Sequence, residues 1–164
     1  MELQGKILSA SAALDGSWFE KAMIFITEHN QNGATGFVLN KLFSRKLNEL
    51  EEFKHAAAID IYTGGPVANE QLFFLHSSPG NIPGGINITA NIYQAGDFKK
   101  AIALLSNGQI SSTKIKIFIG YCGWNSNELE AEIEEGSWKL IHAPVEIIFK
   151  TVNYNLWNEW NKGE

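Results

Sequence analysis

Few residues in this chain could do covalent or acid-base chemistry: one thiol, four imidazoles and a short acidic run. Cys122 is the only cysteine and stands in Gly120-Tyr121-Cys122-Gly123-Trp124, where an apolar run gives way to an acidic stretch. A thiol where a strand turns toward a helix N-terminus can have its pKa lowered and act as a nucleophile. A small, half-buried residue in a tight strand-to-helix turn is the favoured reading, since cysteine is often buried. His76 closes the apolar run Leu72-Phe73-Phe74-Leu75 and ranks first among the histidines for function, as a general base, although a satisfied, partly buried histidine is the favoured reading. A Cys/His dyad would need His76 or His142 to fold against Cys122. His29, His55, His76 and His142 share no zinc-like spacing and one cysteine builds no thiolate cluster, so no metal site is expected. Glu51 and His55, four apart, read as a solvated helix pair rather than as ligands.

Two further segments invite a chemical reading. Gly64-Gly65-Pro66-Val67 could cradle an anion, yet no Lys or Arg follows it and the GxxxxGK pattern is absent, so turn chemistry accounts for it. In the acidic run, Glu128 with Glu132 and Glu130 with Glu134 are like-charge pairs at i,i+4, each costing about 0.2–0.5 kcal/mol. Glu134 and Glu135 also fall at the C-terminal end of that helix, where the macrodipole disfavours anions. A partner, a cation or a basic groove could offset this, and a solvated acidic face would also tolerate it. Trp18, Trp124 and Trp138 flank these loops and read as core aromatics.

The elements that must position these residues can be read from period and punctuation. Ala22 to Thr27 and Thr35 to Leu39 are β-rich runs around Asn32-Gly33, a hairpin signal. Leu47, Leu50, Phe53 and Ala57 recur at three- and four-residue spacing, which predicts an amphipathic helix from Ser44 to Ala58. Strands are predicted at Asp60 to Thr63, Gln71 to His76 and Ile86 to Tyr93, with a Pro/Gly-rich loop from Ser77 to Gly85. A helix follows with Asp97 as N-cap, Phe98, Ile102 and Leu105 on one face, and Gly108 just past its end. Lys114 to Gly120 alternates Ile115, Ile117 and Ile119 against lysines, a half-buried strand with Phe118 on its outer side. Asn125, three residues before Glu128, has capping-box spacing and predicts a helix from Ser126 to Glu135. A final strand from Trp138 to Ile141 and a C-terminal helix presenting Leu156, Trp157 and Trp160 complete the reading. Strands come first in hairpins rather than in βαβ alternation, so the order points to an α+β fold.

Composition narrows the function classes. A chain of 164 residues fits one domain, 1–164, with a core large enough to need no staple. Net charge is -5 and Arg45 is the only arginine, which argues against direct nucleic-acid binding, because phosphate recognition leans on clustered basic residues. No N-terminal h-region and no apolar stretch of ~20 residues is present, so no secretory signal and no membrane span are expected. The lone cysteine suits a reducing cytosol, and a cytoplasmic location is the expectation.

With Gly120-Tyr121-Cys122-Gly123-Trp124, Gly64-Gly65-Pro66-Val67 and Leu75-His76 in place, the chain resembles the bacterial YqgE/AlgH family, whose members often carry the label of transcriptional regulator. The resemblance runs nearly the full length, from Gly5-Lys6-Ile7-Leu8 and Leu14-Asp15 through Ile26-Thr27-Glu28-His29-Asn30 and Gly36-Phe37-Val38-Leu39-Asn40 to Leu129-Glu130 and Trp138. It implies one α+β domain with a mostly antiparallel, bifurcated and partly barrel-like sheet surrounded by helices. It implies no cofactor and no established reaction. Family members commonly carry Ala or Ser where Cys122 stands, Gln where Glu128 stands and Pro where Leu42 stands. The first of these departures weakens thiol catalysis as a shared activity.

The resulting expectation is a non-catalytic protein that binds a protein partner or a small ligand. Its surface would comprise Gly64, Gly65, Pro66, His76, Tyr121, Cys122, Gly123 and Trp124, with Glu130 at the rim. A hydrolase or transferase using His76 or Cys122 is the alternative of a different class. Direct DNA binding is a third, disfavoured by charge and by the absence of a helix-turn-helix.

Overall fold

The structure is a computed structural model that describes residues 2–150 and 156–161. Ten strands form one strongly curled sheet: β1 (Ile7–Ala10), β2 (Met23–Asn30), β3 (Gly33–Val38), β4 (Leu42–Lys46), β5 (Asp60–Thr63), β6 (Val67–His76), β7 (Ile86–Thr89), β8 (Ile92–Gln94), β9 (Ile115–Asn125) and β10 (Trp138–Ile141). Among the described residues three α-helices accompany it: α1 (Phe98–Ser106), α2 (Glu128–Glu134) and α3 (Leu156–Trp160). The order across the sheet is β10-β1-β2-β3-β9-β6-β8-β7, with β4 and β5 branching from β9. All pairings are antiparallel except β5 with β9. This is the α+β, mostly antiparallel and bifurcated sheet that was expected.

Strand β9 organises the molecule. One of its edges pairs with β6 from Ile115 to Tyr121. Its other edge pairs with β5 over Ile117 to Ile119 and then with β3 over Cys122 to Asn125. The sheet forks where the partner changes, at Gly120, whose φ of 76° lies in the left-handed region that favours glycine. Gly64 sits in the fork: its N–H donates to the Ile119 carbonyl at 2.9 Å, and its carbonyl accepts the Val38 N–H at 2.8 Å. The far edge of the sheet curls back toward the start of β1. Gln4 Nε2 donates to the Ile88 carbonyl at 3.1 Å, and a Cβ on Gly5 would lie 2.7 Å from Thr89 Cβ. The sheet thereby becomes a partly closed barrel.

Apolar side chains fill three clusters. Phe25, Phe37, Phe118, Leu75 and Ile148 lie inside the curl, with Phe37 stacked on Phe118 at 4.5 Å between centroids. Leu8, Ile24, Trp124, Leu129 and Trp138 pack between the sheet and α2. Ile61, Ile102, Ile115, Ile117 and Leu47 pack under α1.

Several local expectations hold, and others give way for identifiable reasons. The Asn32-Gly33 hairpin forms between β2 and β3. Helix α1 begins as expected, with the Asp97 carboxylate accepting the Lys100 N–H at 3.0 Å, and Gly108 follows its end at φ 80°. The helix predicted from Ser44 to Ala58 is absent. That segment is strand β4 followed by single 3-10 turns at Leu47–Glu49 and Glu51–Phe53, with Leu50 extended between them. A spacing of three, as in Leu47, Leu50 and Phe53, fits the 3-10 period as well as the α period, and nothing in the pattern separates the two.

The single strand predicted from Ile86 to Tyr93 is instead the hairpin β7/β8, turning at Ala90 with φ 44°. Its turn is held by Asn87 Nδ2, which donates to the Ala90 carbonyl at 3.0 Å. Phe118 does not face outward. It is fully buried, because β9 is covered on both faces, and alternation cannot distinguish one covered face from two. Asn125 is the last residue of β9 rather than a cap. Asn127, at φ 64°, precedes α2, while the Asn125 amide donates to Glu128 Oε2 at 3.3 Å. Trp18 is 38% exposed rather than core, its ring lying 3.6 Å from the Lys41 ammonium.

Candidate functional site

The expected surface residues separate into three places along β6 and β9. Gly64, Gly65 and Pro66 do meet Tyr121 and Cys122. A Cβ on Gly65 would overlap the Tyr121 backbone, and a Cβ on Gly120 would overlap the Gly65 carbonyl oxygen. The glycines therefore permit two backbones to touch at the fork of the sheet, which is a structural reason for their presence.

Cys122 is buried there and donates its S–H to the Gly64 carbonyl at 3.3 Å. Burial pushes the thiol up to about 12, against smaller lowering effects of the Val38 backbone N–H and the Lys41 charge. A thiol held in this way stays protonated at neutral pH, which is the opposite of nucleophile activation.

His76 lies at the other end of the ladder. It pairs with Ile115, seven residues before Cys122 on β9. At ~3.3 Å per residue the separation is roughly 20 Å, so the two form no dyad. The His76 ring is fully buried. Its Nδ1 accepts the Ser78 N–H at 3.1 Å, so Nε2 carries the proton and donates to the Ala95 carbonyl at 3.1 Å. The rings of Phe74 and Tyr93 stack on it, each 5.7 Å away between centroids. Burial lowers its pKa, with the Ala95 contact acting in the opposite direction. His76 is thus the satisfied histidine that the sequence favoured, fully rather than partly buried.

Trp124 and Glu130 belong to a third place, where α2 docks on the sheet. Glu132 Oε1 accepts both indole N–H groups, from Trp124 at 3.1 Å and from Trp138 at 3.0 Å. Glu130 Oε2 lies 3.2 Å from His29 Nε2, off the line of a hydrogen bond, while His29 Nδ1 accepts the Leu3 N–H at 3.1 Å. The Glu130 carboxyl is held below the usual carboxylate range by its own backbone N–H and, secondarily, by His29. Two acids of the run therefore have defined internal partners. Those partners, rather than an external cation, account for part of the tolerated like-charge crowding. Gly123 is exposed between the fork and this cluster.

One concave feature adjoins an expected residue. Thr27, Thr35, Phe37, Phe73, Gln94 and Tyr121 line a cavity of about 150 Å³ inside the curl of the sheet, beside the Gly64–Pro66 turn. Thr27 and Thr35 hydroxyls lie 3.1 Å apart, and Phe73 meets the Tyr121 ring edge to face at 5.5 Å. Aromatic walls with a few hydroxyl and amide groups in a barrel interior are a usual composition for a small-ligand site. Of its residues only Tyr121 was expected. Thr27 and Thr35 lie in runs read simply as strands, and no local signal marks Gln94. Among the described residues no group of three or more His, Cys, Asp or Glu side chains could hold a metal. Among them, too, no helix is long and apolar enough to cross a membrane.

The comparisons with known proteins agree with this architecture. A family model described as AlgH-like matches residues 7–163. A UPF0301 protein of Parabacteroides distasonis is 35% identical over 161 residues, covering 97% of this chain and 81% of its own. One from Chlorobium limicola is 35% identical over 154 residues, covering 94% and 82%. The solution structure of the AlgH protein from Pseudomonas aeruginosa superposes with a TM-score of 0.77 at 27% identity, over 96% of this chain and 86% of that one. A crystal structure from Corynebacterium diphtheriae, at 16% identity and a TM-score of 0.77, shares the fold over 97% and 85%. The chain belongs to the AlgH-like family.

Proposed function

We propose that this protein acts without catalysis, by taking a small ligand, or one side chain of a protein partner, into the barrel cavity beside Tyr121. The observation that carries this reading is the roughly 150 Å³ concavity lined by Thr27, Thr35, Phe37, Phe73, Gln94 and Tyr121. A cavity of about that volume in an engineered protein holds one benzene ring, which sets the scale of the occupant. Hydroxyl and amide groups among the aromatics favour an occupant with one or two polar atoms.

The arrangement of the other candidates supports binding over catalysis. Cys122 is buried and protonated, and His76 is saturated with partners at the far end of the ladder. The effect on transcription that the family label suggests would run through the bound partner, since the charge of -5 opposes direct DNA contact. A cytoplasmic site of action fits the lone, reduced cysteine.

The test is a screen of ring-sized fragments against isotope-labelled protein by NMR. Shifts confined to the Thr27, Thr35 and Tyr121 amides, and lost in a cavity-filling Thr35→Leu variant that keeps the native spectrum, would support the proposal. Hits that spread over the surface, or that persist in the filled variant, would overturn it.

A further inference from the structure

The first half of β9 carries a group that the barrel cavity does not use. Lys116 alternates between Ile115 and Ile117, and its side chain shares the buried face of Phe118. It is 4% exposed. Its Nζ donates to the Leu39 carbonyl at 2.8 Å and to the Lys150 carbonyl at 3.2 Å, and it lies 4.0 Å from the centre of the Tyr62 ring. No carboxylate among the described residues comes within 4 Å of it. Asp60, on the adjacent strand β5, pairs instead with Lys46 at 3.8 Å. A buried lysine with dipolar partners and no counter-ion is costly in its charged form, and burial lowers its pKa from 10.5 to about 7.

Lys116 also lines a cavity. Lys46, Asp60, Tyr62, Ser112 and Phe149 join it around about 380 Å³, open to solvent. Besides Lys116, the titratable side chains lining it are Asp60, Lys46 and the Tyr62 phenol, and the Asp60 carboxylate and Lys46 ammonium neutralise one another at 3.8 Å.

We propose that the Lys116 amine is a covalent docking point for small aldehydes and ketones that enter this cavity. The free amine attacks the carbonyl carbon, forming a C–N bond while the C=O π pair passes to oxygen. The proton lost from nitrogen goes to that oxygen, giving a carbinolamine. The C–O bond then breaks and the hydroxyl leaves with a proton as water, so the products are an imine and one water, with no net oxidation or reduction. A protonated imine keeps one N–H, which the Leu39 carbonyl, 2.8 Å from the resting amine, can accept. Desolvated lysines are the usual amines for this chemistry, because a useful fraction is uncharged at neutral pH. The inference is independent of the barrel cavity beside Tyr121.

The experiment treats the full chain, at limiting reagent, with propionaldehyde and sodium cyanoborohydride at pH 7 and at pH 10, and maps the propylated lysines by peptide mass spectrometry. At pH 7 an exposed lysine has roughly 10³-fold less free amine than one that titrates near 7. Lower basicity offsets part of this advantage, so we expect Lys116 to be labelled at least about tenfold faster than any other lysine, with the lead shrinking at pH 10. Equal rates, or an unlabelled Lys116 beside labelled surface lysines in protein with a native circular dichroism spectrum, would overturn the proposal. A folded Lys116→Met variant should lose only the fast phase, and a fast phase that persists in it would also overturn the proposal. If that variant does not fold, the peptide map of the native chain decides alone.

Discussion

The two halves of β9 solve opposite problems. Before Gly120 the strand has a neighbour on each edge, β5 and β6, and both faces are covered, yet it carries Lys116 into that interior. After Gly120 it pairs with β3, and two of its polar groups have defined partners: Cys122 on the Gly64 carbonyl, and Trp124 on Glu132. The second half is specified by close backbone approach and is chemically quiet. The first half is apolar in period and holds the most perturbed cation among the described residues. Perturbed groups that line a cavity are candidates for function, so it is the half without a family motif that draws chemical attention.

The largest effect should come from crowding the fork. Gly65→Ala places a Cβ on the Tyr121 backbone, which cannot rotate away, and it should lower stability by about 4 kcal/mol in denaturant unfolding. A change below 1 kcal/mol would show that the fork is not as tight as described.

Lys116→Met tests the other half and should act in the opposite direction. In the folded chain this amine titrates near 7, and in the unfolded chain near 10.5. Below pH 7 both states hold the proton and the fold bears the full cost of burying charge. Between pH 7 and 10.5 the unfolded chain retains a proton the folded one has released, so wild-type stability rises by up to ~1.4 kcal/mol per pH unit. The variant should lack this rise. It should be more stable than wild type by about 2 kcal/mol at pH 6, since replacing a buried ion by an apolar residue often stabilises. Wild type gains about 4 kcal/mol between pH 6 and pH 10, so the advantage should vanish near pH ~8.5 and reverse by pH 10. Parallel stability-pH curves for the two proteins would remove the buried-charge account.

Glu132→Ala leaves two indole N–H groups without an acceptor and should cost about 1–2 kcal/mol, with altered tryptophan fluorescence as α2 loosens. Unchanged emission would show that Trp124 and Trp138 do not depend on that carboxylate. The smallest effect belongs to Glu128→Gln. Glu128 is exposed, and relief of its repulsion with Glu132 should change stability by less than about 0.5 kcal/mol. A larger gain would return the acidic run to the role of an unfilled binding surface.

Much of the architecture was legible because its signals are local. Asp97 and Gly108 bracket α1 through capping and left-handed geometry, which depend on a few neighbouring residues. The failures came where local patterns are degenerate. Leu47, Leu50 and Phe53 suit 3-10 turns and an α-helix alike. Asn125 and Glu128 touch without forming the cap that their spacing suggested. For the candidate site, the family motifs name Gly64–Pro66, Tyr121 and His76 together without saying whether they converge; the structure sets Gly64–Pro66 against Tyr121 and leaves His76 at the other end of the ladder. The offset between them is set by the β6/β9 register, which places His76 opposite Ile115 and Val67 opposite Tyr121.

The sequence by itself determined the α+β class, the family, the β2/β3 hairpin, the capped helix α1 and the importance of the glycine turns, because period, turn chemistry and charge are carried by neighbouring residues. Only the tertiary structure decided that Phe118 and Lys116 are buried, that His76 stands roughly 20 Å from Cys122, and that Thr27, Thr35 and Gln94 share a cavity with Tyr121. Burial and convergence arise from strand register and from the second layer laid over each face. Both are long-range choices made by the packing of the whole chain, with no counterpart in local spacing.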